Sequence, residues 1–365
     1  MDSALLLITD QVRAAAAAGT ALRIRGGGSK DFYGEPAGGE LLDTRPLTGI
    51  TSYEPSELVV TVRAGTKLAE LEAVLAERGQ CLPFEPPHFE GGATVGGMVA
   101  AGLSGPARAS VGAVRDYVLG VTLLNGRAEL LTFGGQVMKN VAGYDVSRLM
   151  CGALGTLGLI TEVSLKVLPL APAEATLKFE MAQDQALAQL NRWGGQPLPL
   201  NASCWVDDGH TRTLYLRLRG AVAAVEAACT SLGGERQDNA ATAPDWNLCR
   251  DQQLPWFQER GARDLWRLSV PQTAPVLDLP EPPLVEWQGG LRWVRAVPGE
   301  AARLRAAAAA VGGSATLFIA ADARQSGAEG RFDALQPALD RIHRQLKKEF
   351  DPAGVFNRGR LYPDF

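Results

Sequence analysis

Histidine is scarce in this sequence, with three in 365 residues. His88, His210 and His343 stand far apart, in no spacing that gathers metal ligands, so no metal site is expected. The five cysteines (Cys81, Cys151, Cys204, Cys229 and Cys249) are equally dispersed and contain no C-x-x-C pair, which spells neither an iron–sulfur cluster nor a structural zinc site. An odd count also leaves no complete disulfide framework, and the thiols are expected to be reduced, mostly buried and cytoplasmic. Long apolar runs are missing as well. The charge-free residues 91–107 are rich in glycine and poor in large apolar side chains, too weak a stretch to span a bilayer. Acidic Asp2 and an alanine tract broken by Arg13 lack the basic start, apolar run and cleavage site of a secretory signal. Basic charge is not in excess: 36 Lys and Arg against 40 Asp and Glu give a net charge of −4. Nucleic acid and anionic membrane are therefore not expected as main partners. Any attachment to the inner face of a membrane is expected to run through partner subunits.

What is present is ordinary globular composition, 46% hydrophobic and 21% charged, over a length that accommodates two domains. The first half is dense in glycine and reads as short strands and turns with a few helices. Residues 10–18 form a helix; residues 21–25 form a strand that ends at three glycines. A strand over 58–63 precedes a helix in which Leu68, Leu71 and Leu75 recur at helical spacing before Gly79. Residues 118–133 read as a β-hairpin about Asn125-Gly126 with a type I′ turn, and residues 159–168 as a strand that ends at Pro169. The Pro/Ala-rich residues 169–175 mark a domain boundary. Beyond it, strands near 203–206, 213–218, 265–270, 284–287, 292–295 and 316–319 are separated in part by helices near 185–191, 222–231 and 301–311, the pattern of an antiparallel sheet covered by helices. A last helix over 333–350 leads into a polar tail.

Two segments carry chemistry. Arg25, Gly26, Gly27, Gly28, Ser29 and Lys30 follow a strand, where consecutive glycines can aim several N–H groups into one concavity that suits a pyrophosphate. A plain glycine turn is the equally open reading, and the P-loop and G-x-G-x-x-G orders are both absent. In residues 91–102, Gly92, Thr94, Val95, Gly96, Gly97 and Gly102 belong to a run of small residues so close-set that packed backbone or a bound cofactor must lie against it. Arg108, Gly112 and residues 115–121 follow, then the hairpin, then Lys139-Asn140-Val141-Ala142-Gly143-Tyr144-Asp145, and finally Gly152, Gly155, Thr156, Gly158, Leu159, Ile160 and Thr161.

In this order the pieces resemble the FAD-binding domain of the vanillyl-alcohol-oxidase (PCMH-type) flavoprotein family over residues 1–170. The runs 139–145 and 152–161 are similar to the branch that oxidises D-2-hydroxy acids, and the tail 346–360, with Asn357, is similar to that branch's C-terminal motif. Arg358 stands where proline is usual. Over its whole length the chain looks like the FAD-binding subunits of glycolate oxidases. The resemblance implies an α+β flavoprotein: a PCMH-type FAD domain (1–170), a cap of antiparallel sheet and helices (171–320) and a C-terminal segment (321–365) that packs back on the first domain. It implies that the loops 26–30 and 94–97 line the FAD pyrophosphate, that the backbone around Gly155, Gly158 and Ile160 reaches adenine or flavin, and that FAD is non-covalent, because Ser29 occupies the neighbourhood of a tethering histidine. The H-x-G-D-G-N-x-H stretch of relatives that bind a substrate-orienting metal is absent. This suits an auxiliary subunit that works with a homologous flavoprotein subunit and an iron–sulfur subunit on glycolate. A stand-alone oxidoreductase on another small hydroxy acid or alcohol, and a non-catalytic assembly subunit with structural FAD, are the alternatives.

No residue is assigned to catalysis. His88 is a candidate for flavin contact or proton transfer, against a plain hydrogen-bonded loop histidine. Arg108 and Arg115 are candidates to offset cofactor or substrate charge, against solvated loop arginines. Trp205, Trp246, Trp256, Trp266, Trp287 and Trp293 read as core, with Leu254-Pro255-Trp256-Phe257 as a possible subunit contact.

Overall fold

A computed structural model of the chain describes residues 2–89, 91–135, 145–322 and 330–365. Asp2 accepts a hydrogen bond from the Ala4 N–H at 3.0 Å and caps helix α1 (Ser3–Ala18), so the helix starts well before residue 10. Ile8, Val12 and Ala15 recur along its buried face against Leu22, Leu42, Leu47, Val355 and Phe356. Strand β1 (Leu22–Arg25) pairs in parallel with β2 (Glu40–Asp43), with Leu22 opposite Glu40.

Next come β3 (Ile50–Glu54), β4 (Val59–Arg63), α2 (Leu68–Ala76), β5 (Gln80–Cys81), α3 (Val95–Ala101), β6 (Val118–Leu124), β7 (Leu130–Gly134), β8 (Leu159–Lys166) and β9 (Leu168–Pro169). A five-stranded sheet has the order β3-β4-β8-β6-β7, antiparallel throughout. Its central strands β8 and β6 are buried almost along their whole length, as two-sided burial requires, whereas the edge strand β7 alternates toward solvent. The hairpin exists, but its turn is not type I′. Five residues connect the strands; Asn125 Oδ1 accepts the Arg127 and Glu129 N–H groups at 2.9 Å each, and the left-handed residue is Ala128. Gly126 serves a different purpose: its N–H donates to the Phe350 carbonyl, and a Cβ there would meet Asp351 Oδ1 at 2.4 Å. The glycine is demanded by the approach of the C-terminal segment.

The chain divides into two compact units, Met1–Leu103 with Ala113–Pro169 and Gly330–Phe365, and Ser104–Gly112 with Leu170–Glu329. The second unit holds β10 (Ala173–Glu180), β11 (Leu200–Asp207), β12 (Arg212–Gly220), β13 (Glu235–Arg236), β14 (Asp264–Ser269), β15 (Leu284–Glu286), β16 (Leu291–Ala296) and β17 (Ser314–Ile319). They form one eight-stranded antiparallel sheet, ordered β13-β10-β12-β11-β15-β16-β14-β17. Helices Gln183–Gly194 and Val222–Leu232 pack Leu187, Leu190, Trp193 and Val225 on one half of a face, and helix Ala301–Ala309 packs Leu304 and Ala308 on the other half. All seven tryptophans are buried, and Trp256 and Phe257 of the 254–257 stretch belong to the core, where the rings of Trp256, Phe257, Trp293 and Phe318 meet edge to face. Two of the five cysteines, Cys204 and Cys249, are buried, fewer than expected. Among the described residues no helix is long and apolar enough to cross a membrane.

Candidate functional site

The end of β1 opens into a cavity of about 290 Å³ in the first unit. Of the residues singled out from the sequence, Arg25, Gly26, Gly27, Gly28, Ser29, Lys30, Thr94, Gly96, Gly97, Gly155, Gly158, Ile160 and Asn357 all line it. Three do not. The Gly92 carbonyl lies behind the first loop, so close that a Cβ on Gly27 would sit 1.3 Å from its oxygen. Val95 turns its side chain into the core, and Gly102 ends α3 with φ 66° against Gly152.

The two glycine loops contribute differently. Among the described residues, the N–H groups of Gly26, Gly27, Gly28 and Ser29 make no hydrogen bond, which leaves a run of donors facing the concavity. In the second loop the donors are already used: Val95 N–H to Thr66 O at 3.0 Å, Gly96 N–H to Ala64 O at 2.8 Å and Gly97 N–H to Thr94 Oγ1 at 3.3 Å. That loop lines the cavity with Gly96 and Gly97 and with the small side chains of Thr94, Ala100 and Ala101.

Positive charge rings the same space. Arg23, Arg25, Lys30 and Arg360 line it with a single acid, Asp31, whose carboxylate sits 2.7 Å from Arg25 Nε. Arg360 was not foreseen as a site residue, although it closes the tail segment singled out from the sequence. Its guanidinium donates to the carbonyls of Glu35 (2.7 Å), Asp31 (3.1 Å) and Lys30 (3.2 Å), holding the first loop from behind, and burial pushes its pKa below the usual arginine value. Asn357, with φ 40°, uses its whole amide inside the protein: Oδ1 accepts the Ile24 N–H at 2.8 Å and Nδ2 donates to Leu154 O at 2.6 Å. It ties β1 to the turn at Leu154-Gly155. Arg358, in the place where proline is usual, donates to the carbonyls of Gly354 and Gly19, the latter at 3.0 Å. A row of open N–H groups, a cationic rim and a wall of glycine and other small residues together fit the diphosphate of a dinucleotide such as FAD.

Other candidates fall elsewhere. His88 lies outside the cavity lining with Nε2 2.8 Å from Glu72 Oε2. Arg115 occupies the short 3₁₀ turn Val114–Asp116, also outside the lining. Arg108 stacks on Trp287 in the second unit, 4.4 Å from the ring centroid. His210 lies in the exposed turn capped by Asp208, and His343 on the helix Pro337–Phe350 beside Tyr362. The segment Lys139 to Tyr144 lies outside the described residues. Among the described residues, no group of three or more His, Cys, Asp or Glu side chains is placed to hold a metal ion.

A family model described as an FAD binding domain matches residues 8–134. The chain is 45% identical to glycolate oxidase subunit GlcE of Escherichia coli (strain K12), over 98% of this chain and 97% of the relative. It belongs to that family of glycolate oxidase subunits. Its cofactor is FAD and its fold is the α+β, PCMH-type flavoprotein fold. Partial matches extend the kinship: 36% identity to a D-lactate dehydrogenase of Anaerostipes hadrus over 36% of this chain and 27% of that one, and 30% identity to glycolate oxidase subunit GlcD of Bacillus subtilis (strain 168) over 42% and 32%. In three dimensions the chain is similar to a solved structure of alkyldihydroxyacetonephosphate synthase, with a TM-score of 0.65 at 16% identity over 96% of this chain and 73% of that one, a likeness of fold.

Proposed function

We propose that this chain is the FAD-binding subunit of a complex that oxidises glycolate to glyoxylate, working with a homologous flavoprotein subunit and an iron–sulfur subunit that carries electrons onward. The observation that carries this reading is the end-to-end match to a glycolate oxidase subunit, with identity of 45% over 98% of the chain. FAD, when bound, supplies the acceptor for the two electrons of the alcohol; the protein's part is to hold and orient it. In this reading the N–H groups of Gly26 to Ser29 and the side chains of Arg25 and Lys30 bind the diphosphate, and Gly96 and Gly97 let it approach the backbone. Gly155, Gly158 and Ile160 flank the rings, while Asn357 and Arg360 position the loops.

The dispersal of the three histidines, one of them taken up by Glu72, supports dependence on partners for substrate chemistry. The test is to purify the chain alone and with its two candidate partners, then add glycolate without oxygen and follow the visible flavin band. Bleaching only in the assembled complex supports the proposal. Bleaching in the isolated chain makes it a stand-alone dehydrogenase, and flavin that never bleaches in the complex makes its FAD structural.

A further inference from the structure

The second unit contains a cavity that shares no residue with the one at the end of β1. It measures about 280 Å³ and is lined from β10, β11 and β12, from the helix Asn239–Arg250 and from the short helix Pro255–Gln258. Val206, Leu254, Trp246 and Trp256 make its walls apolar and aromatic. Small molecules bind in cavities of this kind, where a few placed polar groups interrupt an apolar lining.

The charge of the lining is of one sign. Asp208, Asp245 and Glu259 contribute to it and no basic side chain does. Two arginines stack nearby, Arg217 at 4.8 Å from the Trp246 ring and Arg295 at 4.5 Å from that of Trp256, but each is engaged elsewhere, Arg217 with Asn201 Oδ1 at 2.7 Å and Arg295 with Glu281 at 3.3 Å. The carboxylates differ in how far they are committed. Asp208 accepts the N–H groups of His210 and Thr211 in its own turn, and Glu259 stands 3.7 Å from Arg295. Asp245 is exposed and, among the described residues, makes no hydrogen bond or ion pair.

One donor in the wall is also unmet. Trp246 Nε1 donates to Thr176 Oγ1 at 3.0 Å, whereas Trp256, 5% exposed, holds its Nε1 buried with no hydrogen-bond partner among the described residues. Buried donors are nearly always paired, and an acceptor carried by a ligand would pair this one.

We propose that this cavity binds a small organic cation: a flat apolar body against Trp246 and Trp256, an acceptor such as a carbonyl for Trp256 Nε1, and an ammonium group paired with Asp245 at the exposed rim. The aromatic lining also favours a cation, and the three carboxylates disfavour glycolate or any other carboxylate here. The site stands whether or not the function proposed above holds.

The test uses the full-length flavin-loaded chain and three probes of one shape: para-aminomethylbenzamide, a cation; para-methylbenzamide, uncharged; and para-carbamoylbenzoate, an anion. Binding is read at low salt by calorimetry and by tryptophan emission. The cation is expected to bind saturably and at least about 10-fold more tightly than the anion, with the neutral probe between them. Asp245→Asn is expected to weaken the cation about 2- to 5-fold, the scale of an exposed ion pair, and to leave the neutral probe unchanged. Trp256→Phe keeps a ring, removes the donor and is expected to weaken all three about 3- to 10-fold. Circular dichroism confirms that both variants are folded. Equal affinity for the three probes, no saturable binding of the cation, or folded Asp245→Asn and Trp256→Phe chains that bind it like the wild type overturns the proposal. Binding is expected to persist in the assembled complex; its loss there would assign the cavity to a partner subunit and overturn a small-molecule site.

Discussion

Lys347 reaches one turn along the last helix to Asp351, with Nζ 2.7 Å from Oδ2, and the same ammonium group donates to the carbonyls of Thr156 at 2.6 Å and Phe356 at 2.9 Å. Asp351 in turn accepts the N–H groups of Val355 (2.9 Å) and Phe356 (2.8 Å). The pair therefore fixes the bend that sends the tail back past β1 and delivers Asn357 to the cavity. Asp351 is fully buried and Lys347 nearly so. Asp351→Ala leaves a buried ammonium group uncompensated and is expected to cost about 3–5 kcal/mol of stability, read by urea unfolding, together with a loss of bound flavin.

Burial pushes the Lys347 pKa down and the Asp351 carboxylate only partly restores it. With the folded pKa below the ordinary lysine value, the unfolded chain binds more protons in the interval between the two. Stability linked to this group therefore increases with pH across that interval, is fully present above about pH 10.5 and is lost as pH falls through the folded pKa. Unfolding measured from pH 8 upward should show wild type gaining stability relative to Lys347→Met; a constant difference would contradict it.

Much of the site could be read from the chain because its pieces are local. Gly26 to Gly28 close a strand, and Gly96 and Gly97 open a helix capped by Thr94, both patterns of near neighbours. What could not be read depends on contacts distant in sequence. Nothing near Gly126 reveals that Asp351 will pack on it, so the Asn-Gly pair suggests a turn that does not form. Arg360 meets carbonyls more than 320 residues away. Strand β10 begins inside the Pro/Ala-rich stretch that reads as a domain boundary, and its Ala175 and Leu177 are buried. Pro244 hides the helix Asn239–Arg250, where it sits in the interior yet is tolerated. Arg108 drew attention as an anion-binding candidate, but its Trp287 partner lies far along the chain.

Asn357→Ala removes the acceptor for the Ile24 N–H and the donor to Leu154 O. Because both partners are left in a mostly buried setting, the loss is expected to be about 1–3 kcal/mol in stability, with FAD affinity lowered in parallel. Titrating FAD into the apoprotein of each variant gives the comparison. Unchanged affinity would remove Asn357 from the positioning of the cavity.

Burial pushes the Cys151 thiol up to about 12. The thiolate form is thus suppressed at pH 9, and alkylation by iodoacetamide in the folded chain should be at least about 100-fold slower than in urea. Peptide mapping by mass spectrometry resolves this cysteine from the other four. Stability linked to this group is fully present below its ordinary value of 9.0 and lost as pH rises toward about 12.

The most direct test of the FAD site is the flavin content of Gly27→Ala, where the added Cβ would fall 1.3 Å from the Gly92 carbonyl oxygen and the two loops must part. Flavin per chain is measured from the visible spectrum after acid precipitation, with circular dichroism to confirm that the variant is folded. The wild-type chain should yield one FAD, released into the supernatant, and folded Gly27→Ala almost none. A folded variant that keeps stoichiometric FAD, or flavin that stays with the precipitated wild-type protein, would contradict a non-covalent FAD site between the Gly26–Lys30 and Thr94–Gly97 loops.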